Sequence, residues 1–338
     1  MSQLRSSLPC SLCGRTYGRN ELSTVWKSST KTAPEMVKQI LKVFKLEKFD
    51  EDPSSRQRIL QGWHQEILKK SKVLVVGAGA LGNEVVKNLV MVGVGTIYIV
   101  DFDIIVSSNL NRCIFFRKDD AKKGVSKVRA IATRATELSP YDYTKIIPVE
   151  ANIHSLPHDH EIYTQSQVYV SCLDNLAARL ELNAAAIANN KPLVDGGMSG
   201  YIGHVQVVIP GNTACLQCDI GEMELKSIYN RLSCSGSPLE FSGPKIPALP
   251  TVTSVIGAVM AQEVLKILFG YERFVKEGVW PKETGIPLAG RRLYINMRLN
   301  IYEVFHLEKN LSCPICSGLK TSNSSSNIQG ERHARESS

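Results

Sequence analysis

The chain has 338 residues, of which 43% are hydrophobic and 21% charged, so it is neither collagenous, fibrous nor wholly disordered and has ample length for a substantial core. The formal net charge is +8, and residues 1–72 alone carry 14 basic against 7 acidic side chains, which leaves the remainder close to neutral. With the excess confined to that arm, and with no RNA-stacking motif or basic helical stripe, no nucleic-acid partner is expected.

The opening MSQLRSSLPCSLCGR lacks the apolar stretch of a signal peptide, and no apolar run reaches the roughly 18 residues of a membrane span. A cytoplasmic protein with no membrane partner is therefore expected. Residues 1–50 read as a basic appendage, with a knuckle-like Cys10-x-x-Cys13 and one amphipathic helix around Met36, Ile40, Leu41, Val43 and Phe44. Residues 51–318 read as the main domain. Its start, around Asp52 to Ser55, offers helix caps and leads into RQRILQGWHQEILKK, predicted to be a helical segment.

From Lys72 the pattern changes. KVLVV is a short, β-branched apolar run that stops in glycines and opens into NEVVKNLVMVG, which predicts strand, tight turn and buried helix. TIYIVD, KIIPVE and QVYVSCLD supply further strands, with helical stretches GVSKVRAIATRATEL and NLAARLELNAAAIANN between them. This alternation predicts an α/β fold with a Rossmann-like, parallel, doubly wound sheet. KPLVDGG, HVQVVIPG and RRLYINM read as additional strands, VTSVIGAVMAQEVLKILFG as a long buried helix, and residues 319–338 as a disordered tail.

Gly77, Gly79 and Gly82 form G-x-G-x-x-G between strand and helix, where absent side chains let the helix N-terminus approach phosphate oxygens. Asp101, 24 positions beyond Gly77, suits ribose hydroxyls. This pair points to an adenine nucleotide but leaves NAD, FAD and ATP open. The residues downstream decide. Asp103, Asn109 and Arg112 follow the second strand, Lys127 starts a helix, and Asp174 with Asn175 ends the fourth strand. Two cations suit the phosphates and an acid suits magnesium, which together describe an ATP site without a P-loop. As bland readings, Arg112 and Lys127 are surface charges and Asp174 is a helix cap.

The set GAGALG, DFD, SNLNR, GVSK and CLDN, followed by VDGGMSGYIGHVQVVIPGNTACLQC, resembles the ThiF/MoeB/ubiquitin-activating enzyme superfamily over about Arg56 to Cys316. That resemblance implies a ThiF/MoeB-type adenylation domain that uses ATP and Mg2+ to adenylate the C-terminal glycine of a ubiquitin-like protein ending in Gly-Gly. It implies ribose contact by Asp101, phosphate contacts by Asn109 and Arg112, a Lys127 that steadies the α-phosphate, and magnesium on Asp174. It also implies a homodimer in which Arg56 reaches into the partner's ATP site. Lys127 stands two positions further from Arg112 than in relatives aligned by eye, so the intervening loop is expected to bulge, with Lys122 and Lys123 as alternatives.

Nine cysteines include three C-x-x-C pairs. Cys215, Cys218, Cys313 and Cys316 make two knuckles, enough for one closed tetrahedral Zn2+ site, as the resemblance also implies. Cys10 and Cys13 would need a dimer-shared zinc or a histidine, or they are an unmetallated remnant. Cys172, in an apolar strand, reads as core. Cys234 sits in a Gly/Pro/Ser-rich loop near Arg231. In the ubiquitin-type relatives a cysteine here carries the modifier as a thioester for transfer to a conjugating enzyme; the alternatives are activation of a sulfur carrier for thiocarboxylate formation, or an incidental loop thiol.

Overall fold

The computed structural model describes residues 51–221 and 246–318, together with the backbone of 8–9 and 16–17. Cys10, Cys13, the expected helix near 36–44, Arg231, Cys234 and the tail 319–338 lie outside the described residues. The chain divides into two compact units, Met1–Ile59 and Leu60–Ser338. In the first unit, β1 (Leu8–Pro9) pairs antiparallel with β2 (Thr16–Tyr17). Also in it, α1 (Ser55–Arg58) starts where the Ser54 amide and hydroxyl both donate to Asp52 Oδ1, at 2.8 and 2.7 Å.

The second unit is built on an eight-stranded sheet of order β10-β9-β8-β7-β6-β3-β4-β5. Its strands are β3 (Lys72–Val76), β4 (Thr96–Val100), β5 (Lys145–Val149), β6 (Val168–Ser171), β7 (Leu193–Ser199), β8 (Ile202–Val208), β9 (Arg291–Asn296) and β10 (Ile301–His306). The pairs from β7 through β6, β3 and β4 to β5 are parallel. Those from β7 to β10 are antiparallel, so the sheet is mixed, where alternation alone predicted a parallel one. The reason is local: β7 and β8 are joined through Gly200 and Tyr201, a turn too short for a crossover helix.

Alternation along the strands splits the core in two. Val73, Val75, Ile97, Ile99, Val168 and Val170 face α3 (Ala80–Met91), α5 (Lys127–Leu138) and α8 (Pro250–Glu277). Leu74, Val76, Tyr98, Val100 and Tyr169 face α6 (Glu161–Gln165) and α7 (Leu176–Ala188). Helices on both faces are why these parallel strands read as continuous apolar runs.

α8 lies directly on β7 and β8. A Cβ at Gly196 would stand 2.1 Å from Met260 Sδ, and one at Gly203 2.4 Å from Ile256. With sheet on one side and α3 on another, α8 is apolar nearly all round, and it is long and apolar enough to cross a membrane, with a mean hydropathy of 1.6 over its best window. This corrects the expectation that no stretch reaches that length; 56% of the window is buried within the protein.

Two further differences have simple causes. The helical segment expected over RQRILQGWHQEILKK is broken into α1 and α2 (Gln65–Lys70), because Gly62 takes φ +78° and packs so closely that a Cβ would meet the Glu283 carbonyl oxygen at 2.2 Å. The expected bulge before Lys127 is a short helix, α4 (Lys118–Lys123), closed by Gly124 at φ +61°.

Candidate active site

The tips of β3, β4 and β6 converge at the carboxyl edge of the parallel strands, the usual ligand crevice of an open α/β sheet. The three glycines of the turn after β3 are needed for different reasons. Gly77 has φ +99°, and a Cβ there would lie 2.5 Å from the Cys172 carbonyl oxygen; one at Gly82 would lie 2.0 Å from the Gly77 carbonyl oxygen. Gly79 meets nothing within 4 Å and has an ordinary negative φ, so no contact within the described protein demands glycine there. It is also the N-cap of α3, with no side-chain cap, so no capping side chain occupies this helix N-terminus, the kind of position where phosphate oxygens fit.

Asp101 closes this turn from the β4 side. Its Oδ2 accepts from the Ala78 amide at 2.7 Å and its Oδ1 from the Asp103 amide at 2.8 Å. Burial pushes the Asp101 carboxyl up, and the nearby Lys127 ammonium and the two amide bonds only partly offset this. Lys127, the first residue of α5, places Nζ 2.6 Å from Asp103 Oδ2 and is itself 11% exposed. Burial alone would lower its pKa, but Asp101, Asp103 and Asp174 outweigh it and raise it, so this ammonium stays charged at neutral pH. A glycine turn, one largely buried lysine and three acids from the ends of two strands, β4 and β6, thus meet in one place. Lys122 and Lys123 are exposed on α4, Lys122 beside Asp119.

Asp174 stands exposed just past β6, and it is Asn175 that caps α7, its carboxamide oxygen accepting from the Ala178 amide at 2.8 Å. Asn109 likewise serves its own loop, accepting from the Val106 amide at 3.0 Å. Arg112 is half-buried and folds back: Nη1 donates to the Ser108 carbonyl at 2.5 Å and to Asn111 Oδ1 at 3.0 Å. Arg56 is exposed on α1, in the first unit.

Sequence reading missed Asn83. This fully buried side chain on α3 donates to the Ala78 and Gly79 carbonyls, at 3.1 and 2.8 Å, and accepts from the Phe115 amide at 3.0 Å. It ties the glycine turn to the segment after Arg112. Only its position right after the motif marks it, a polar residue, followed by the likewise buried Glu84, where the helix enters the core. Burial pushes the Cys113 thiol up to about 11 and raises Cys172 further still, so neither is a thiolate nucleophile at neutral pH.

A second cluster lies behind the sheet, against α7. The sulfurs of Cys215, Cys218, Cys313 and Cys316 all lie within 4.8 Å of one another. Cys215 and Cys313 are 3.7 Å apart, Cys218 and Cys316 3.4 Å, and Cys215 and Cys218 3.9 Å. A tetrahedron of thiolates with Zn–S bonds of about 2.3 Å has edges of about 3.8 Å, so the four sulfurs fit zinc and leave no open coordination position. The Leu216 amide between the first two donates to Asn183 on α7 at 3.1 Å, which fastens the knuckle to the nucleotide fold.

The ThiF family model matches residues 53–315. The chain belongs to the ThiF family. Among curated relatives it is 34% identical over 152 residues to a protein of Saccharomyces cerevisiae named ubiquitin-activating enzyme E1-like, covering 45% of this chain and 23% of that one. It is 28% identical over 260 residues to ubiquitin-like modifier-activating enzyme 5 of Drosophila mojavensis, covering 72% and 62%. The chain therefore spans about a quarter of the first of these relatives and under two thirds of the second. Among solved structures, Escherichia coli MccB with ATP superposes at a TM-score of 0.60 and 20% identity over 87% of this chain and 85% of that one, a likeness of fold.

Proposed function

We propose that the chain uses ATP and magnesium to adenylate the C-terminal glycine of a ubiquitin-like, β-grasp protein ending in Gly-Gly. The observation that carries this is the meeting of a charged, largely buried Lys127 with three carboxylates beside a glycine turn whose middle glycine opens onto free space. A hydride-transferring dinucleotide enzyme has no use for that cation. The names of the relatives support the substrate class.

The chemistry follows from charge. A carboxylate oxygen of the protein tail, ionised well above its pKa of about 3.5, forms a bond to the α-phosphorus as the bond to the β-phosphate breaks and pyrophosphate leaves. Two anions must meet, so fixed positive charge is the main requirement and no general base is needed. Lys127 supplies that charge once phosphate oxygens displace Asp103 from its ammonium. Asp101, already aimed along the turn, accepts the ribose hydroxyls, and Arg112, released from Ser108, reaches the outer phosphates. Asp174 would hold magnesium, whose charge would help offset that building up on the leaving pyrophosphate. The four cysteines hold zinc in a structural role.

In the same reading Cys234 takes the acyl group as a thioester, expelling AMP, before handing it to a conjugating enzyme. The active unit is a cytoplasmic homodimer in which Arg56 enters the partner's site. ATP–pyrophosphate exchange with a panel of Gly-Gly-ending β-grasp proteins tests the adenylation. Non-reducing gels of wild type and Cys234→Ala then test the second step: a thiol-sensitive adduct lost in the variant supports it, whereas exchange without an adduct favours a sulfur-carrier activator. No exchange with any partner overturns the reading.

A further inference from the structure

The turn that presents Asp174 is tethered by an arginine that the reaction just described does not use. Arg179, in the first turn of α7, forks three ways. Its Nε donates to the Leu173 carbonyl at 2.9 Å, its Nη2 donates to the Gly196 carbonyl at 2.9 Å, and its Nη1 lies 3.4 Å from both Asp195 Oδ2 and His204 Nε2. Leu173 is the residue before Asp174, so the guanidinium holds the peptide that leads into that acid. The anchor is deep. Asp195 is 2% exposed on β7, between β6 and β8. Burial alone would raise its carboxyl, but Arg179 and His204 together hold it below the ordinary value, so it remains an anion.

The neighbouring sequence clears the way for this fork. A Cβ at Gly197 would lie 2.6 Å from Arg179 Nη2 and 2.4 Å from His204 Cε1, so the guanidinium crosses β7 only because position 197 carries no side chain. Asp174, at the other end of the tether, already acts on the Lys127 ammonium. The tether therefore runs from a fixed strand of the sheet to a group in the nucleotide crevice. Asn175 steadies the helix behind the turn but bonds to Ala178, not to the peptide before Asp174.

We propose that Arg179 is a positioning residue, anchored on Asp195 and the Gly196 carbonyl, that fixes the Leu173–Asp174 peptide and so aims the Asp174 carboxylate at the magnesium of bound nucleotide. This rests on the function proposed above. Lysine at 179 would satisfy Asp195 as a point charge but has no planar fork to reach two carbonyls as well. Groups that orient a metal ligand in this way are typically worth about 10- to 100-fold in metal affinity.

The test is Mn2+ binding, followed by electron paramagnetic resonance in the presence of a non-hydrolysable ATP analogue, for wild type, Arg179→Lys and Gly197→Ala. The expected result is about a 10- to 100-fold weaker Mn2+ affinity for Arg179→Lys, with nucleotide affinity measured in EDTA unchanged. Gly197→Ala shifts in the same direction, and the double variant binds no worse than Arg179→Lys alone, because both changes break one tether. In the exchange assay, excess Mg2+ restores the rate of Arg179→Lys. A merely structural role predicts loss at every metal concentration together with a lowered melting temperature, and so overturns the proposal. Unchanged metal affinity in folded Arg179→Lys also overturns it, including the case where only the KM for the protein substrate rises. If Arg179→Lys does not fold, Gly197→Ala alone decides by the same criterion. A wild type that binds no metal–nucleotide complex would overturn the proposed function itself.

Discussion

The second unit contains two clusters of reactive side chains, one on each side of the idea of a binding site. Around Lys127, polar groups bond one another in the crevice, and in the function proposed above an incoming ligand would replace one member of each pair: Asp103 by a phosphate at Lys127, the Ala78 amide by a ribose hydroxyl at Asp101, Ser108 by a phosphate at Arg112. Around Cys215, four sulfurs sit against an apolar core with geometry already set for one ion and no position left over. The first arrangement is provisional and the second is closed. Catalytic groups have to change partners, whereas a structural site gains stability from having no alternative.

The sharpest break between the two comes from metal removal. Structural zinc contributes on the order of 10 kcal/mol in small domains. Cys313→Ser should drop zinc, measured by metal analysis, from one per chain to none and lower the melting temperature by the largest margin of any change considered. Lys127→Ala should do the reverse: exchange falls about 10²- to 10³-fold, while zinc content and melting temperature stay put. Retention of exchange within a few-fold would remove Lys127 from the mechanism.

Two glycines sharpen the distinction inside the crevice itself. Gly82→Ala drives a Cβ into the Gly77 carbonyl and should cost about 3 kcal/mol of stability, read from denaturant unfolding. Gly79→Ala meets open space and should leave stability within about 0.5 kcal/mol, yet raise the KM for ATP severalfold because its methyl stands where phosphate oxygens approach. Equal effects of the two substitutions on unfolding would contradict the open space at Gly79.

The smallest expected effect concerns Asp120, which accepts from the Arg117 amide at 2.7 Å and from Arg134 at 2.8 Å, and whose carboxyl is held below the ordinary value chiefly by the Arg134 bond. A carboxyl depressed in the folded state stabilises above its unfolded pKa of about 3.8 and loses that contribution as pH falls through the folded value. Asp120→Asn should thus cost about 1 kcal/mol at pH 7, and the difference from wild type should shrink as pH falls below 3.8 through the lowered folded value. A difference that persists in acid would trace the loss to packing instead of charge.

How far the sequence carried this depended on whether a feature is local. The β3 run, the glycine turn, Asp101 and the paired cysteines were legible, because each is a short pattern whose chemistry needs neighbouring residues. The direction of β8, β9 and β10 was not, since parallel and antiparallel strands share one side-chain period and only the short turn at Gly200 separates them. The break at Gly62 was hidden because a lone glycine is tolerated in many helices, and it is the approach of the Glu283 backbone, from 221 positions further along, that forces the left-handed turn. Asn83 and Arg179 were missed for the same reason: each is an ordinary polar residue on a helix until the fold brings Phe115 to one and Asp195 to the other. Residues that touch a ligand leave motifs, whereas residues that hold those residues in place leave contacts.

The cysteine clasp also sets an order of events during synthesis. Its two halves stand 98 residues apart, and the second pair follows every strand of the sheet. A ribosome that terminates between Cys218 and Cys313 releases a chain with the nucleotide crevice encoded in full but Cys215 and Cys218 without mates. The four cysteines can come together only in a polypeptide that has been translated through β10 and on to Cys316.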